Sequence, residues 1–391
     1  MSWERQKPFT IERPESPSST GWLLSGVLSV IAGVLLFVLH ASSTISVLNS
    51  VNIWLFSLIP VVLWLIIFSL RGYLYGRDLE HYQFLQNEAQ HAQQQWSAWA
   101  ERYLAVMASC VMLPDQISAA LLQKRAKELT QQRGLARRIS YLTSEKPAFE
   151  SFVSALLSGV ESGVQSLPTD LPIQVSLLTD EPESRRHELY RQFNDCWQEQ
   201  FPTRPEPSAL TITDELSFNT LDERLKQPES TVQLILVIQL QGNERYSDGL
   251  AALLLTTDDV ANKYSLSHRI RLLRPMRLDI NTLINDLVLF LTTQALALQT
   301  TGILGDQQKW TESSAELIGT GNKQGTAWQA ENIQTIETYC GIQGPYSPWL
   351  TAALGADFVR LGKQPWLALS TSENEHFICT ITTGSGDEPA K

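Results

Sequence analysis

The side chains able to act as nucleophiles, bases or metal ligands are few and scattered. The four cysteines, Cys110, Cys196, Cys340 and Cys379, lie far apart and form no CxxC pair. They suggest neither a zinc site nor a disulfide framework and fit a reducing compartment. Of the six histidines, His40, His81, His91, His187, His268 and His376, only His81 and His91 share a predicted helix. They are ten residues apart, whereas two ligands for one metal need a spacing of about three or four. The chain has no GxSxG elbow, no Walker A sequence and no HExxH. Ser247-Asp248-Gly249 has no base next to it. The stretch ELIGTGNKQGTAWQ, residues 316–329, spaces its glycines as a phosphate cradle or a catalytic turn would. No catalytic residue adjoins them, and taken alone the stretch reads as a loop. These patterns assign no catalytic residue, no cofactor and no metal.

The elements that would position any site begin with an apolar pair. Residues 21–42 and 51–70 contain no Asp, Glu, Lys or Arg, and each is close to the roughly 20 residues that cross about 30 Å of hydrocarbon as a helix. A signal peptide is a poorer reading of the first run, since its apolar core is too long and a second run follows at once. Arg5, Lys7 and Arg13 precede the pair, Arg71 and Arg77 follow it, and the intervening ASSTISVLNS carries no charge. The positive-inside bias then predicts an inner-membrane hairpin of bacterial type with both termini cytoplasmic. The expected division is a cytoplasmic tail at 1–20, two transmembrane helices with a short periplasmic loop at 21–71 and a helical stalk or linker at 72–168. An α/β domain at 169–385 and a flexible tail at 386–391 follow.

Residues 77–112 run long without Gly or Pro between Arg77 and Met112 and carry Leu79, Tyr82, Leu85, Trp96, Trp99, Tyr103 and Val106 at near-helical spacing. They predict a helix leaving the membrane. Two more helices are expected near 114–132 and 146–164. The stretch QKRAKELTQQRGLARR at 123–138, which overlaps the first, is locally basic, with Lys124, Arg125, Lys127, Arg133, Arg137 and Arg138. It reads as a solvated face, or alternatively as an anionic-lipid contact through Lys124, Arg125, Lys127, Arg137 and Arg138. From 173 onward strands and helices alternate: strands at 173–180, 209–213, 231–241 and 248–257, with helices at 183–201 and 218–227 between them. That order implies a layered α/β domain with 231–241 central in its sheet. Residues 281–300 are apolar enough for a third span, but their polar members and place in the α/β run favour a buried helix.

The order of segments from 173 to 383 resembles the second part of a condensing enzyme of the ketosynthase and thiolase-like family. SDGLAALLL at 247–255 is similar to that family's GEGAAALLL strand, IGTGN at 318–322 to its HGTGT loop, and GIQGPYSPWLTAALGA at 341–356 to its glycine-rich turn before an apolar helix. The resemblance implies a thiolase-like layered α/β/α sheet. It puts a nucleophilic cysteine on a tight strand-to-helix turn and histidines in the two later loops. Here Ile318 stands where the first histidine belongs, and Ile342, Gln343 and Gly344 surround the place of the second. Cys196 falls inside an amphipathic helix.

With 41 Asp+Glu against 30 Lys+Arg and a net charge of −11, non-specific nucleic-acid binding is not expected. The leading expectation is a non-enzymatic membrane adaptor, an accessory protein of a bacterial secretion machine of type VI kind, with a secretion component or cargo as partner and homo-oligomers open. Its docking residues would be Trp96, Trp99, Tyr346 and Trp349. The alternatives are a membrane-bound acyl-transfer or condensing enzyme, and a structural protein that binds anionic lipid.

Overall fold

Uncharged apolar runs form the first two helices, α1 (Ser19–Ala41) and α2 (Ile53–Ala100). Ser18 caps α1 by accepting from the Gly21 N–H. The computed structural model describes residues 3, 8–42, 52–125, 128–142, 148–227, 230–372 and 375–384. The expected periplasmic loop falls largely outside those residues, as does the tail at 386–391. The chain divides into two units, Arg5–Gln95 on one hand and Met1–Glu4 with Trp96–Lys391 on the other.

In the smaller unit two helices are long and apolar enough to cross a membrane. Small residues let them meet: a Cβ on Gly33 would lie 2.6 Å from the Ser57 carbonyl oxygen. Trp64 donates its indole N–H to Ser25 Oγ at 2.9 Å and stacks on Phe68 at a centroid distance of 5.2 Å.

The larger unit is a mixed α/β fold. Its strands are β1 (Tyr103–Met112), β2 (Ile173–Thr179), β3 (Ala209–Thr213), β4 (Val232–Gln239), β5 (Gly249–Thr257), β6 (Ile270–Leu273), β7 (Met276–Leu278), β8 (Gly302–Gly305), β9 (Ile333–Thr335), β10 (Trp366–Ser372) and β11 (Glu375–Thr383). Its helices are α3 (Ala119–Arg125), α4 (Ala148–Ser166), α5 (Arg186–Gln200), α6 (Thr220–Arg224), α7 (Asp258–Lys263), α8 (Leu283–Thr293), α9 (Lys309–Glu312), α10 (Ser314–Gln324), α11 (Ile336–Cys340) and α12 (Ser347–Gly362).

The strand order contains an internal repeat. The first half runs β3-β2-β4-β5-β1 and the second β9-β8-β10-β11-β6, with β7 pairing off β11. In chain order, and leaving β7 aside, the second strand of each half is parallel to the third and fourth, the fifth is antiparallel to the fourth, and the first pairs antiparallel with the fifth. β1 and β6 then pair antiparallel and join the halves into one 11-stranded sheet. α4 and α5 cover the first half, packing Leu156, Val160, Phe193 and Trp197 on β2, β4 and β5. α8 and α10 cover the second half, around Leu287, Phe290 and Leu317. α12 lies against strands of both halves and is buried along nearly its whole length.

This arrangement corrects four expectations. Residues 72–168 are not a helical stalk: α2 ends at Ala100, and 103–112 is a central strand held between β5 and β6. Its mixture of Ala, Val, Met, Ser and Cys has weak local preference, so tertiary pairing decides its conformation. The α/β fold therefore starts at 103 and contains both repeats, not a second part alone. The helix expected over 114–132 shrinks to a 3₁₀ turn and α3, because Asp115 and Gln116 take positive φ. Finally, 318–322 is helical: α10 turns Leu317, Thr320 and Gly321 inward and ends at Gly325, whose φ of 106° suits only glycine. The 281–300 segment is α8 followed by a 3₁₀ turn, with one face of α8 in the core.

Candidate functional site

Clefts in open α/β sheets form beyond the carboxyl ends of parallel strands, and one such cleft of about 350 Å³ is present here. It is lined by Asp214, Glu215, Leu216 and Ser217 from the turn between β3 and α6, by Pro345 and Tyr346 just before α12, and by Ser372 and Glu375 at the β10–β11 hairpin. Each half of the repeat thus contributes a wall. The 214–217 turn is pinned from below: Trp349 Nε1 donates to the Leu216 carbonyl at 3.1 Å, and Phe218 is buried edge-on to Trp349 and Phe377. Ser217 remains exposed, its Oγ accepting from the Asn219 N–H at 3.2 Å.

Three carboxylates make the cleft acidic, although two have partners. Asp214 pairs with Arg186 at 3.2 Å and Glu375 with Arg277. Burial, together with Asp180, the Tyr246 hydroxyl, Asp214 and Glu215, raises the Tyr346 hydroxyl far above the ordinary phenol range. It stays protonated and can only donate or accept a hydrogen bond.

Beneath the cleft lies a buried carboxylate. Asp306 follows β8 and is fully buried, accepting from Ser347 Oγ at 2.7 Å, the Thr371 N–H at 2.6 Å, Trp310 Nε1 at 2.8 Å and the Gln307 N–H at 2.8 Å. Desolvation outweighs these donors and pushes its carboxyl up to about 6. His376 contacts Thr371 Oγ1 at 3.1 Å and Lys309 Nζ at 3.4 Å, and burial and that lysine depress its imidazole.

Because the folded carboxyl binds its proton more tightly than an unfolded one, Asp306 contributes stability that is present below about pH 3.8 and lost as pH rises through about 6. Asp306→Asn removes that dependence and leaves donors unmatched, at about 1–3 kcal/mol. Urea unfolding is therefore expected to show a wild-type advantage over the variant that is largest near pH 4 and shrinks toward pH 6.5. An advantage that grows with pH would show the opposite sign of shift.

The residues expected from sequence fall elsewhere. Tyr346 and Trp349 are 4 % and 1 % exposed, so they are core anchors and not docking groups. Trp96 and Trp99 stack at 4.5 Å, Trp3 meets Trp99 at 5.4 Å, and the Arg274 guanidinium lies 4.0 Å over Trp99. That cluster packs against Phe290 and is likewise structural. The anionic-lipid set is not gathered on one free face. Arg137 pairs with Asp115 at 2.9 Å and Arg138 with Asp248 at 2.5 Å, while Lys124 is exposed. The Arg125 side chain and Lys127 lie outside the described residues. Among the described residues, no group of three or more His, Cys, Asp or Glu is placed to hold a metal.

None of the four cysteines lines the cleft. Cys196 is buried on α5 against α4, Cys340 ends α11, and Cys379 on β11 donates to the Leu273 carbonyl at 3.1 Å. Cys110 is half-buried on β1, where desolvation and then Asp357 raise its thiol to about 11. A thiol raised that far carries about 100-fold less thiolate at a given pH than an ordinary cysteine. Iodoacetamide at pH 8 is therefore expected to leave the native protein almost unlabelled for hours, with four labels per chain appearing in urea. Fast native labelling of any one cysteine, read by peptide mass mapping, contradicts this placement.

Sequence reasoning misses Asp214–Ser217 and Asp306. A signal is present for the first: DELS at 214–217 directly follows the strand expected at 209–213, at the carboxyl end where sites in such sheets form.

No family model matches the chain, and no curated protein matches it. Solved structures do. A type II polyketide ketosynthase with its acyl-carrier protein, AntDE:AntF, is 12 % identical over 72 % of this chain and 99 % of that one, with a TM-score of 0.48. Cerulenin-bound OleA of Xanthomonas campestris is 9 % identical over 72 % and 99 %, at 0.42. The 3-oxoacyl-[acyl-carrier-protein] synthase III of Aquifex aeolicus is 10 % identical over 71 % and 99 %, at 0.40. Each of these three matches is below a TM-score of 0.5 and carries no argument about what the chain does. The expectation that the chain lacks enzymatic activity is withdrawn: the solved structures it is similar to are of a ketosynthase, OleA and a 3-oxoacyl synthase, and the matches themselves assign this chain no activity.

Proposed function

We propose that the chain is a membrane-anchored protein that takes an acyl group from a thioester at the cleft between the two halves. One observation carries this reading. The thiolase-like resemblance puts a nucleophile on a strand-to-helix turn and a base in a turn before an apolar helix, and turns of those two kinds, 214–217 after β3 and 345–346 before α12, line the cleft together. Ser217 supplies a hydroxyl in place of a thiol. In the proposed step its Oγ attacks the thioester carbonyl carbon, a C–O bond forms, the C–S bond breaks, and the hydroxyl proton passes by way of Glu215 or Glu375 to the departing thiolate. The products are an acyl-serine and a free thiol.

In support of the anchor, the outward side chains of the smaller unit include Leu23 at 71 % exposure and Trp54 at 67 %. Apolar surface on that scale is tolerable in lipid and costly in water. With the positive-inside bias of the flanks, both termini and the α/β domain lie in the cytoplasm in this reading.

Full-length protein in mild detergent, incubated with acyl-CoA bearing a radiolabelled acyl group, is expected to acquire one hydroxylamine-labile label. Ser217→Ala abolishes it and Ser372→Ala retains it. An unlabelled wild type, or label that persists in Ser217→Ala, sinks the proposal.

A protein-docking role, as for an accessory component of a secretion machine, has one observation in its favour. The residues lining the cleft include three carboxylates and neither thiol nor imidazole, which suits a cationic segment of a partner. In that case a partner co-purifies from membranes with wild type and is lost with Asp214→Lys/Glu215→Lys. Recovery of no partner counts against it.

A further inference from the structure

β1 is paired along only part of one edge. β5 covers it from Leu104 to Met112, whereas β6 covers Tyr103 to Val106 and then departs, with a register shift in β1 between Val106 and Ala108. Among the described residues no other strand pairs with 107–112 on that side. Alternate N–H and C=O groups of this half-exposed segment therefore face a groove of about 510 Å³ that runs along Val106–Val111. Edges of this kind in natural proteins are normally covered, charged or bulged; here the shift after Val106 and the Asp357–Arg360 pair flank it, but no strand covers it among the described residues.

The groove has two unlike walls. On the α4 side the exposed residues are small, Gly159, Ser162 and Ser166; Gly159 packs so closely that a Cβ would lie 2.4 Å from Cys110 Sγ, and the open room lies beside Ser162 and Ser166. On the α12 side stand Asp357 and Arg360, paired at 3.0 Å, with Asp357 also accepting from Ser109 Oγ at 3.4 Å. At the β6 end stands Arg269, exposed and with no ion pair among the described residues. Arg360 and Asp357 offset each other, which leaves the groove locally positive on a chain whose net charge is −11.

We infer that the open edge of β1 binds an extended C-terminal peptide of a partner protein by strand addition, with the peptide's terminal carboxylate on Arg269. The direction follows from the sheet. A strand continuing the line of β6 runs antiparallel to β1, so it passes from Met112 toward Met107 and ends beside Arg269. About six residues at 3.3 Å each span the open edge. Main-chain hydrogen bonds supply affinity, and side chains alternate between the small wall of α4 and the charged wall of α12. A terminal carboxylate at Arg269 gains a charge-assisted hydrogen bond that an amide cannot make. This site is separate from the acyl cleft and does not depend on it.

The test uses the full chain in mild detergent and two random octapeptide pools, one with free C-terminal carboxylates and one C-terminally amidated. The free-acid pool is expected to be retained at least tenfold over the amidated pool. Arg269→Glu removes the preference, and Ser162→Trp, an exposed α4 position that fills the groove without touching the core, removes retention. Hydrogen exchange of the 107–112 amides slows when the retained peptides are bound. Equal retention of both pools, retention unaffected by Ser162→Trp, or binding without protection of 107–112 overturns the inference. Protection that rises with protein concentration in the absence of peptide also overturns it, and gives the edge to a second copy of the chain.

Discussion

Replacing Asp222 with alanine is expected to lower the unfolding free energy of the α/β fold by about 3–5 kcal/mol, the usual cost of stranding a buried charge. Asp222 sits on α6 and accepts from Arg274 Nη1 at 2.6 Å, where the arginine side chain is only 1 % exposed. Burial already lowers the Arg274 guanidinium from its ordinary value, and Asp222 is the strongest group opposing that shift. Without the carboxylate, the cation is left with the Trp99 face and no countercharge in direct contact. Lys226, which also reaches Asp222 at 2.6 Å, is 54 % exposed and is the control: Lys226→Ala is expected to change stability by less than about 1 kcal/mol. In urea titrations the double variant Asp222→Ala/Arg274→Met recovers much of the loss, since it removes both charges. A loss below about 1 kcal/mol in Asp222→Ala would mean that Arg274 finds another partner or water.

Trp328→Ala is expected to cost about 3–5 kcal/mol. The indole is buried and donates to both the Thr300 carbonyl and Thr300 Oγ1 at 3.0 Å. Its ring lies 2.4 Å from the place a Cβ on Gly321 would occupy. Gly321 is therefore a packing glycine on a helix, and Gly321→Ala alone is expected to destabilise by about 1–3 kcal/mol through overpacking. In the Trp328→Ala background the cost falls, because the ring is gone and alanine favours the helix by up to about 1 kcal/mol, while Thr326 Oγ1, 2.6 Å from the same Cβ position, keeps part of the overpacking. Thermal unfolding of the four proteins reads this coupling; simple additivity would separate the two residues.

These particulars show what can be read before folding. β2, β3, β4 and β5 and helices α4 and α5 are legible to within a few residues, because each is an apolar or amphipathic run bounded by turn residues. β1 is not. Its 103–112 segment follows a long helix after a two-residue break, and only pairing with a distant strand makes it extended. The repeat is hidden because the two halves share strand order while their residues differ. The glycines at 319 and 321 suggest a turn on composition, yet Leu317 and Thr320 give α10 an inward face and Gly325 ends it. Tyr346 and Trp349 look exposed beside Gly344 and Pro345. The helix they begin is the central one, and nothing local says so.

The pairing of β1 with β5 sets a timetable for synthesis. Leu104 pairs with Thr257, about 150 residues later. At elongation rates of about 5–20 residues per second, roughly 8–30 s separate their emergence from the ribosome. Throughout that interval a strand of 10 residues lacks its template, although β2, β3 and β4 can already pair with one another. The chain must bear an aggregation-prone intermediate as the ordinary price of this connectivity, so its yield in cells depends on what shields the nascent strand as much as on the stability of the finished fold.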